Sequence, residues 1–443
     1  MKKVLKIIFI IPIVIGIVLG IIISINGRLP DNSDKKLIAD IVNKISKKEV
    51  QISDIYIYGT SLNIDGQISG ISKDNLEGAK LVLMSPEGEA YYKLDTTVKN
   101  DVLKFETSQI NNTINLEQLN EENYYILLRL KLNNSSKYKY YNLTGSIENN
   151  SIDYYTITND EGNNKISVQF AEKEYKNKKY KILNISKQEQ IAPENMYDIV
   201  IDAGHGGTDK GEKNGEYNEA DITLDYAIDL YNYLSEKGLK VKLTRTKENN
   251  DSYDYTNMYD INGRITVACE SKSKYMVSLH LNNDSKKTSG FEIYAPSKSD
   301  LSFAKAIANN INENTNIKYS TNEAYKKADG VYVKNFTNKL IEQYAQTAKD
   351  KGYEPYLMTT NTPYLYTIRE VGGIATNAYV DGRNTVYSAN KYYNSNVGIE
   401  CYQIELGYIK TDLENILNQK QQYIEAIGNA IIERILQMQV KSE

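Results

Sequence analysis

The chain has 443 residues but only two histidines, two cysteines, seven prolines and no tryptophan. Two cysteines cannot build a disulfide framework, and Cys269 and Cys401 lack the CxxC spacing of a redox or zinc motif, so both read as buried thiols. A net charge of −4, from 53 basic and 57 acidic residues interspersed along the chain, leaves no electrostatic footprint for nucleic acid. Gly206-Gly207 is followed by neither the Lys-Ser/Thr of a P-loop nor the G-x-G-x-x-G of a dinucleotide site. The 38 tyrosines look like compositional bias and carry no function by themselves. What remains is a chain long enough for two or three domains with ample cores.

The scarcity of histidine matters because of where the two are. His205 follows the apolar run Ile199-Val200-Ile201, within Asp202-Ala203-Gly204-His205-Gly206-Gly207. His280 follows Tyr275-Met276-Val277, within Ser278-Leu279-His280-Leu281-Asn282. Both stand at exits from predicted strands, where ligands converge.

Three kinds of texture succeed one another along the chain. Lys2, Lys3 and Lys6 precede an uncharged apolar run, 7–25, which at about 1.5 Å per residue spans about 28 Å as a helix, close to a bilayer core. No small-residue cleavage pattern follows, so an uncleaved single-pass membrane anchor is expected, with the rest of the chain on the extracytoplasmic side. Residues 28–49 read as a polar stalk. From 50 to 186, short apolar or alternating runs such as Leu81-Val82-Leu83-Met84 and Ile166-Ser167-Val168-Gln169-Phe170 alternate with turn clusters. That pattern predicts an all-β, immunoglobulin-like sandwich, serving as a spacer or as a binding module. From about 195 to 440 strands alternate with helices: 197–202, then a helix over 221–237, a strand at 239–243, a helix around 261–271, and a strand at 275–279. Helices near 300–313 and 336–350, a strand at 399–406 and a long helix from Asp412 follow. This predicts an α/β domain on a mostly parallel twisted sheet flanked by helices.

A catalytic zinc site takes three protein ligands, commonly two His and a carboxylate, and keeps one position open. The two histidines supply two. Glu219, at the mouth of the next helix, is the best third ligand, with Asp209, Glu216 and Asp221 as rivals on spacing. Glu405 ends the strand at 399–406 and leaves the sheet at the same end as the histidines, where open α/β sheets bind ligands. It is the candidate general base.

These residues carry a family resemblance. Ile199 to Gly207, Asn218-Glu219-Ala220-Asp221, Val277 to Asn282 and Ile404-Glu405-Leu406-Gly407-Tyr408-Ile409 resemble, in order, the motifs of the zinc-dependent N-acetylmuramoyl-L-alanine amidases of type 3. The resemblance covers residues 197–437. It implies Zn2+ held by His205, Glu219 and His280, with Glu405 as the catalytic glutamate, and peptidoglycan as substrate, cut between N-acetylmuramic acid and L-alanine of the stem peptide. Two other readings keep the same residues: a metallopeptidase acting on the stem peptide, or a catalytically blocked wall-binding protein. Residues 326–396 depart from the simplest members and read as an insertion that is a substrate groove, a lid or a surface excursion. Arg369 and Arg383 within it are candidates to pair with a stem-peptide carboxylate, and Asn282 to touch substrate or orient His280. The β domain is a candidate surface for an activator or a wall partner.

Overall fold

The computed structural model describes residues 32–107, 113–133, 135–145, 151–155, 163–192, 194, 196–250, 263–284, 287–352, 358–371 and 398–442. The apolar run 7–25 lies outside them. Among the described residues no helix is long and apolar enough to cross a membrane.

The amino-terminal half differs from the expected sandwich. An immunoglobulin-like fold needs two separate sheets, whereas these strands form one continuous 12-stranded sheet. It branches at the strand Asn123–Leu132, whose residues 123–125 pair with Lys178–Ile191 while 127–130 pair with Lys139–Thr144 along the same edge. The strand Ile45–Tyr58 pairs in parallel with Lys139–Thr144 and antiparallel with Ser61–Ser69. Fully buried side chains from most of these strands, including Ile64, Leu83, Leu103, Leu128 and Leu183, form one core, so the sheet closes over its own apolar face. The expected stalk is also part of this body. Its residues Asn32–Lys44 form a helix that buries Ile38 and Ile41 against Val82, Met84, Tyr125 and Leu127 on the outer face of the sheet.

The second half is built on a 7-stranded sheet. Its strands Val241–Leu243, Ile199–Ala203, Tyr275–Asn282 and Glu400–Tyr408 are mutually parallel. Glu292–Tyr294 then joins antiparallel to Glu400–Tyr408, followed by Val331–Val333 and Lys326–Ala328. The sheet is thus parallel through its centre and mixed at one side. Period-two alternation divides its faces. Ile199, Ile201, Val277, Leu279, Ile404 and Leu406 point to the layer formed by helices Glu219–Glu236, Ser302–Asn314 and Lys420–Ser442. The predicted long carboxy-terminal helix is interrupted at Gln419, after the short helix Leu413–Asn418.

The other face grades from apolar to polar along the strands. Val200, Met276 and Cys401 pack with Ile265 and Ala268 of the helix Arg264–Glu270 and with Ile368 and Val371 of the helix Tyr366–Val371. Two residues further along come Asp202, Ser278 and Gln403, and beyond them His280 and Glu405. The described part of 326–396 therefore supplies sheet strands and a core-forming helix, and is more than a surface excursion.

The β domain docks against the amino ends of the same central strands, remote from the histidines. Tyr56 and Tyr58 enter the core that holds Val200 and Cys401. The Tyr58 hydroxyl donates to the Cys401 carbonyl (2.8 Å) and accepts from its amide (3.0 Å). Lys274, 2% exposed, meets Thr60 Oγ1 at 3.1 Å, Glu400 at 3.9 Å and Glu117 in an ion pair. Removing one partner of such a buried ion pair leaves its carboxylates poorly compensated, a loss typically of 3–5 kcal/mol. Lys274→Met is expected to lower the denaturation midpoint by the equivalent of about 3 kcal/mol. An unchanged midpoint would show that this contact does not hold the two halves together.

Candidate metal centre

The site lies where the polar end of the sheet face meets two loops. The chain leaves the strand Ile199–Ala203 through Gly204, and a Cβ there would stand 2.5 Å from the His280 ring, so only glycine lets the imidazole lie against this backbone. His205 follows with φ +61°, a left-handed conformation that a non-glycine residue adopts only when its surroundings enforce it. Three contacts do so. Arg264 Nη2 donates to the His205 carbonyl at 2.8 Å, Nδ1 of the ring pairs with Asp209 Oδ2 at 2.7 Å, and Nε2 reaches Glu219 Oε1 at 3.0 Å.

Glu219 opens its helix, with Asn218 as the capping residue, and is 2% exposed. A helix start favours a carboxylate electrostatically. Its Oε1 also meets His280 Nδ1 at 3.1 Å and accepts the Leu281 amide at 2.8 Å, while Oε2 accepts the Glu212 amide at 3.0 Å. Potential ligand atoms of His205, Glu219 and His280 all lie within 4.8 Å of one another. The two rings stand 4.9 Å apart at 72°. Of the carboxylates that rivalled Glu219 on spacing, Asp209 is instead the residue that orients His205, and Asp221 shares the helix cap with Asn218.

The charges reinforce this convergence. Burial would push the Glu219 carboxyl up, but the two imidazoles outweigh it and hold it well below the usual range. Burial would push the His205 imidazole down, yet Glu219 and Asp209 raise it to about 9. Two imidazoles and one carboxylate converging in this way could hold a metal ion and match the donor set common in catalytic zinc sites, and Asp209 is the kind of partner that orients such an imidazole.

Glu405 stands in register with His280 on one side and with Glu292 on the other, so the three share a face across neighbouring strands. It is buried, and Gln403 Nε2 donates to its Oε1 at 2.7 Å. Burial raises its carboxyl to about 7; His280 opposes this, and Glu219 and Glu292 add to it.

The remaining sequence candidates fare differently. Asn282 donates through Nδ2 to Glu292 Oε2 at 2.7 Å, which is the partner its carboxamide has beside the site. Arg369 is 3% exposed, with Nε on Glu370 at 3.1 Å, Nη1 on the Tyr364 carbonyl at 3.2 Å and its guanidinium stacked 3.9 Å from the Tyr366 ring. It is packed into the helix layer rather than presented to a substrate groove. Arg383 lies outside the described residues.

Two features were missed by sequence reasoning. Glu292 is fully buried and accepts from Asn282, Tyr294 (2.6 Å) and Tyr408 (2.7 Å). Its signal was an acid inside the apolar strand sequence Phe291-Glu292-Ile293-Tyr294. Asp202, also fully buried, receives Arg264 Nη1 on both oxygens (3.1 and 2.9 Å), Thr244 Oγ1 at 2.6 Å and Ser278 Oγ at 2.6 Å. Its signal was the acid near the end of the otherwise apolar strand Ile199–Ala203.

A family model described as N-acetylmuramoyl-L-alanine amidase matches residues 199–343. Residues 199–343 are thus similar to that family over about a third of the chain. A germination-specific N-acetylmuramoyl-L-alanine amidase of Bacillus subtilis is 30% identical over 144 residues, covering 30% of this chain and 60% of the relative's own length. Among solved structures, the amidase AmiC2 of Nostoc punctiforme is 20% identical, covers 54% of this chain and 96% of its own, and superposes with a TM-score of 0.33. An N-acetylmuramoyl-L-alanine amidase of Clostridium difficile 630 is 18% identical, covers 54% and 96%, and also gives 0.33.

Within the second half, Asp202 offers a direct test of the support beneath His205. Burial raises its carboxyl, but Arg264 and the Ser278 and Thr244 hydroxyls more than offset this, and the net shift is downward. A carboxylate with a depressed folded pKa stabilises the protein above its unfolded pKa of about 3.9, and that contribution fades as pH falls through the lower folded value. Asp202→Asn is expected to cost about 3 kcal/mol at neutral pH, the range for a broken buried pair. The gap between the two proteins should narrow as pH drops below about 4, read from denaturation midpoints. A gap that stayed constant with pH would remove Asp202 from this role.

Proposed function

We propose that the protein is a zinc-dependent peptidoglycan amidase that hydrolyses the amide between the lactyl group of N-acetylmuramic acid and L-alanine of the stem peptide, in cell-wall remodelling. The observation that carries this reading is the convergence of His205, Glu219 and His280 beside a buried Glu405 in register with His280. His205, Glu219 and His280 would hold the metal, and Glu405 would be the catalytic acid and base. When bound, zinc supplies Lewis acidity that makes water nucleophilic near neutral pH and polarises the scissile carbonyl.

The protein's own groups account for the proton traffic. A carboxyl raised to about 7 is close to the optimum for both accepting and returning a proton at neutral pH. Glu405 takes a proton from the attacking water and returns it to the departing nitrogen, so the products are a carboxylate on the muramic acid and a free amine on L-alanine. Gln403 holds the Glu405 carboxylate in place through Oε1. Asp209 keeps His205 from rotating, and Arg264 anchors the backbone on which it stands. The apolar run 7–25 supports a tether to the cell membrane with this site on the wall side.

The roles of ligand and base separate by mutation. Glu405→Gln should retain close to wild-type zinc content while losing about 10²–10⁴-fold in turnover, whereas His280→Ala should lose zinc as well. Metal analysis beside peptidoglycan solubilisation measures both. Zinc lost from the Glu405→Gln protein would make Glu405 a ligand rather than the base.

A further inference from the structure

The outer face of the β domain carries a second surface that the amidase reaction does not use. Beyond the end of the helix Asn32–Lys44, the strands Gly88–Lys93, Leu76–Ser85 and Asn123–Leu132 set Lys93, Lys80 and Arg129 directly opposite one another, and Arg129 faces Tyr140 on the next strand. In-register partners share a face and neighbouring strands lie roughly 5 Å apart, so three cations form one row; unscreened like charges so placed are destabilising. Lys131, two residues from Arg129, extends the same face.

Tyrosine rings organise this row. The Arg129 guanidinium lies 4.0 Å from the Tyr91 ring centre and 4.2 Å from that of Tyr138. Lys80 Nζ is 5.9 Å from the Tyr91 ring and Lys131 Nζ 5.5 Å from the Tyr138 ring. Both rings are open to solvent, Tyr91 41% and Tyr138 52% exposed. The acid on this face, Glu89, is engaged by the Tyr91 hydroxyl and by Lys44 at 3.7 Å. Cation–π stacking fixes the guanidinium and lowers the entropy lost when an anion binds, while a lysine supplies a point charge suited to phosphate.

We propose that this row is a docking surface for a phosphodiester-linked anionic polyol of the cell wall, which would hold the enzyme on its substrate. Charge complementarity is the argument for the occupant. Cations about 5 Å apart suit a polymer with a phosphate in every short repeat, better than the single, widely spaced carboxylates of stem peptides. The choice of a wall polymer over other polyanions rests on the amidase reading of the second domain.

The test uses the full chain carrying Glu405→Gln, sedimented with walls that retain their phosphodiester polymers and with walls stripped of them by acid, and titrated with poly(glycerol phosphate). Binding should be at least tenfold tighter to untreated walls, weaken steeply with salt, and fall at least tenfold in Lys80→Glu/Lys93→Glu and in Arg129→Gln. The lysine pair is exposed and outside any core, so it keeps the test valid if the arginine variant folds poorly. Equal binding to stripped walls, tighter binding to single-stranded DNA than to poly(glycerol phosphate), or indifference to the lysine pair would each overturn the proposal. In the otherwise wild-type enzyme the same lysine pair should leave hydrolysis of a soluble muropeptide unchanged, so a failed amidase reading would show there and a failed docking surface in the sedimentation.

Discussion

The arrangement depends on one buried carboxylate. Asp202 lies near the end of the strand Ile199–Ala203 and takes donors from the neighbouring strand through Ser278, from the residue after Val241–Leu243 through Thr244, and from the opposing helix through Arg264. A fully desolvated carboxylate tolerates this position only because each oxygen is satisfied by charged or hydroxyl donors. The same guanidinium passes its second nitrogen to the His205 carbonyl and so holds this histidine in a backbone conformation it would not choose alone. Core, loop and His205 are linked through one ion pair.

A second linkage runs across the sheet. Because in-register residues of adjacent strands share a face, one row places His280, Glu405 and Glu292 side by side. Glu292 accepts from three donors, whereas among the described residues Glu405 accepts a side-chain hydrogen bond from Gln403. The two buried acids thus differ in how fully their oxygens are satisfied, as the role proposed for Glu405 requires. The β domain docks at the opposite end of these strands, through Tyr58, Lys274 and Glu400, and leaves the mouth of the site clear of that contact.

How much of this was legible in the sequence depends on the range of the interaction. Strand-to-loop exits, helix starts and the convergence of His205, Glu219 and His280 follow from local pattern and from the rule that parallel strands present ligands at their carboxyl ends. The alternation Val277-Ser278-Leu279-His280 marks which side chains face the site. The immunoglobulin-like expectation failed because short alternating strands specify β structure without specifying pairing. The branch at Asn123–Leu132 and the parallel pairing of Ile45–Tyr58 are non-local choices. Arg369 misled for a related reason: its charge and the glycines after it resemble a surface loop, whereas Ile368 and Val371 on either side draw its helix into the core. The helix Asn32–Lys44 was read as stalk because its apolar residues, Leu37, Ile38, Ile41 and Val42, are few among polar neighbours.

The measurement that bears most directly on the account is mass spectrometry of the fragments released from purified peptidoglycan by zinc-loaded protein. The account predicts free stem peptides that begin with the amine of L-alanine, and glycan in which muramic acid keeps an intact lactyl carboxylate. Fragments cleaved within the stem peptide, with L-alanine still attached to muramic acid, would contradict it and make the same metal centre a peptidase.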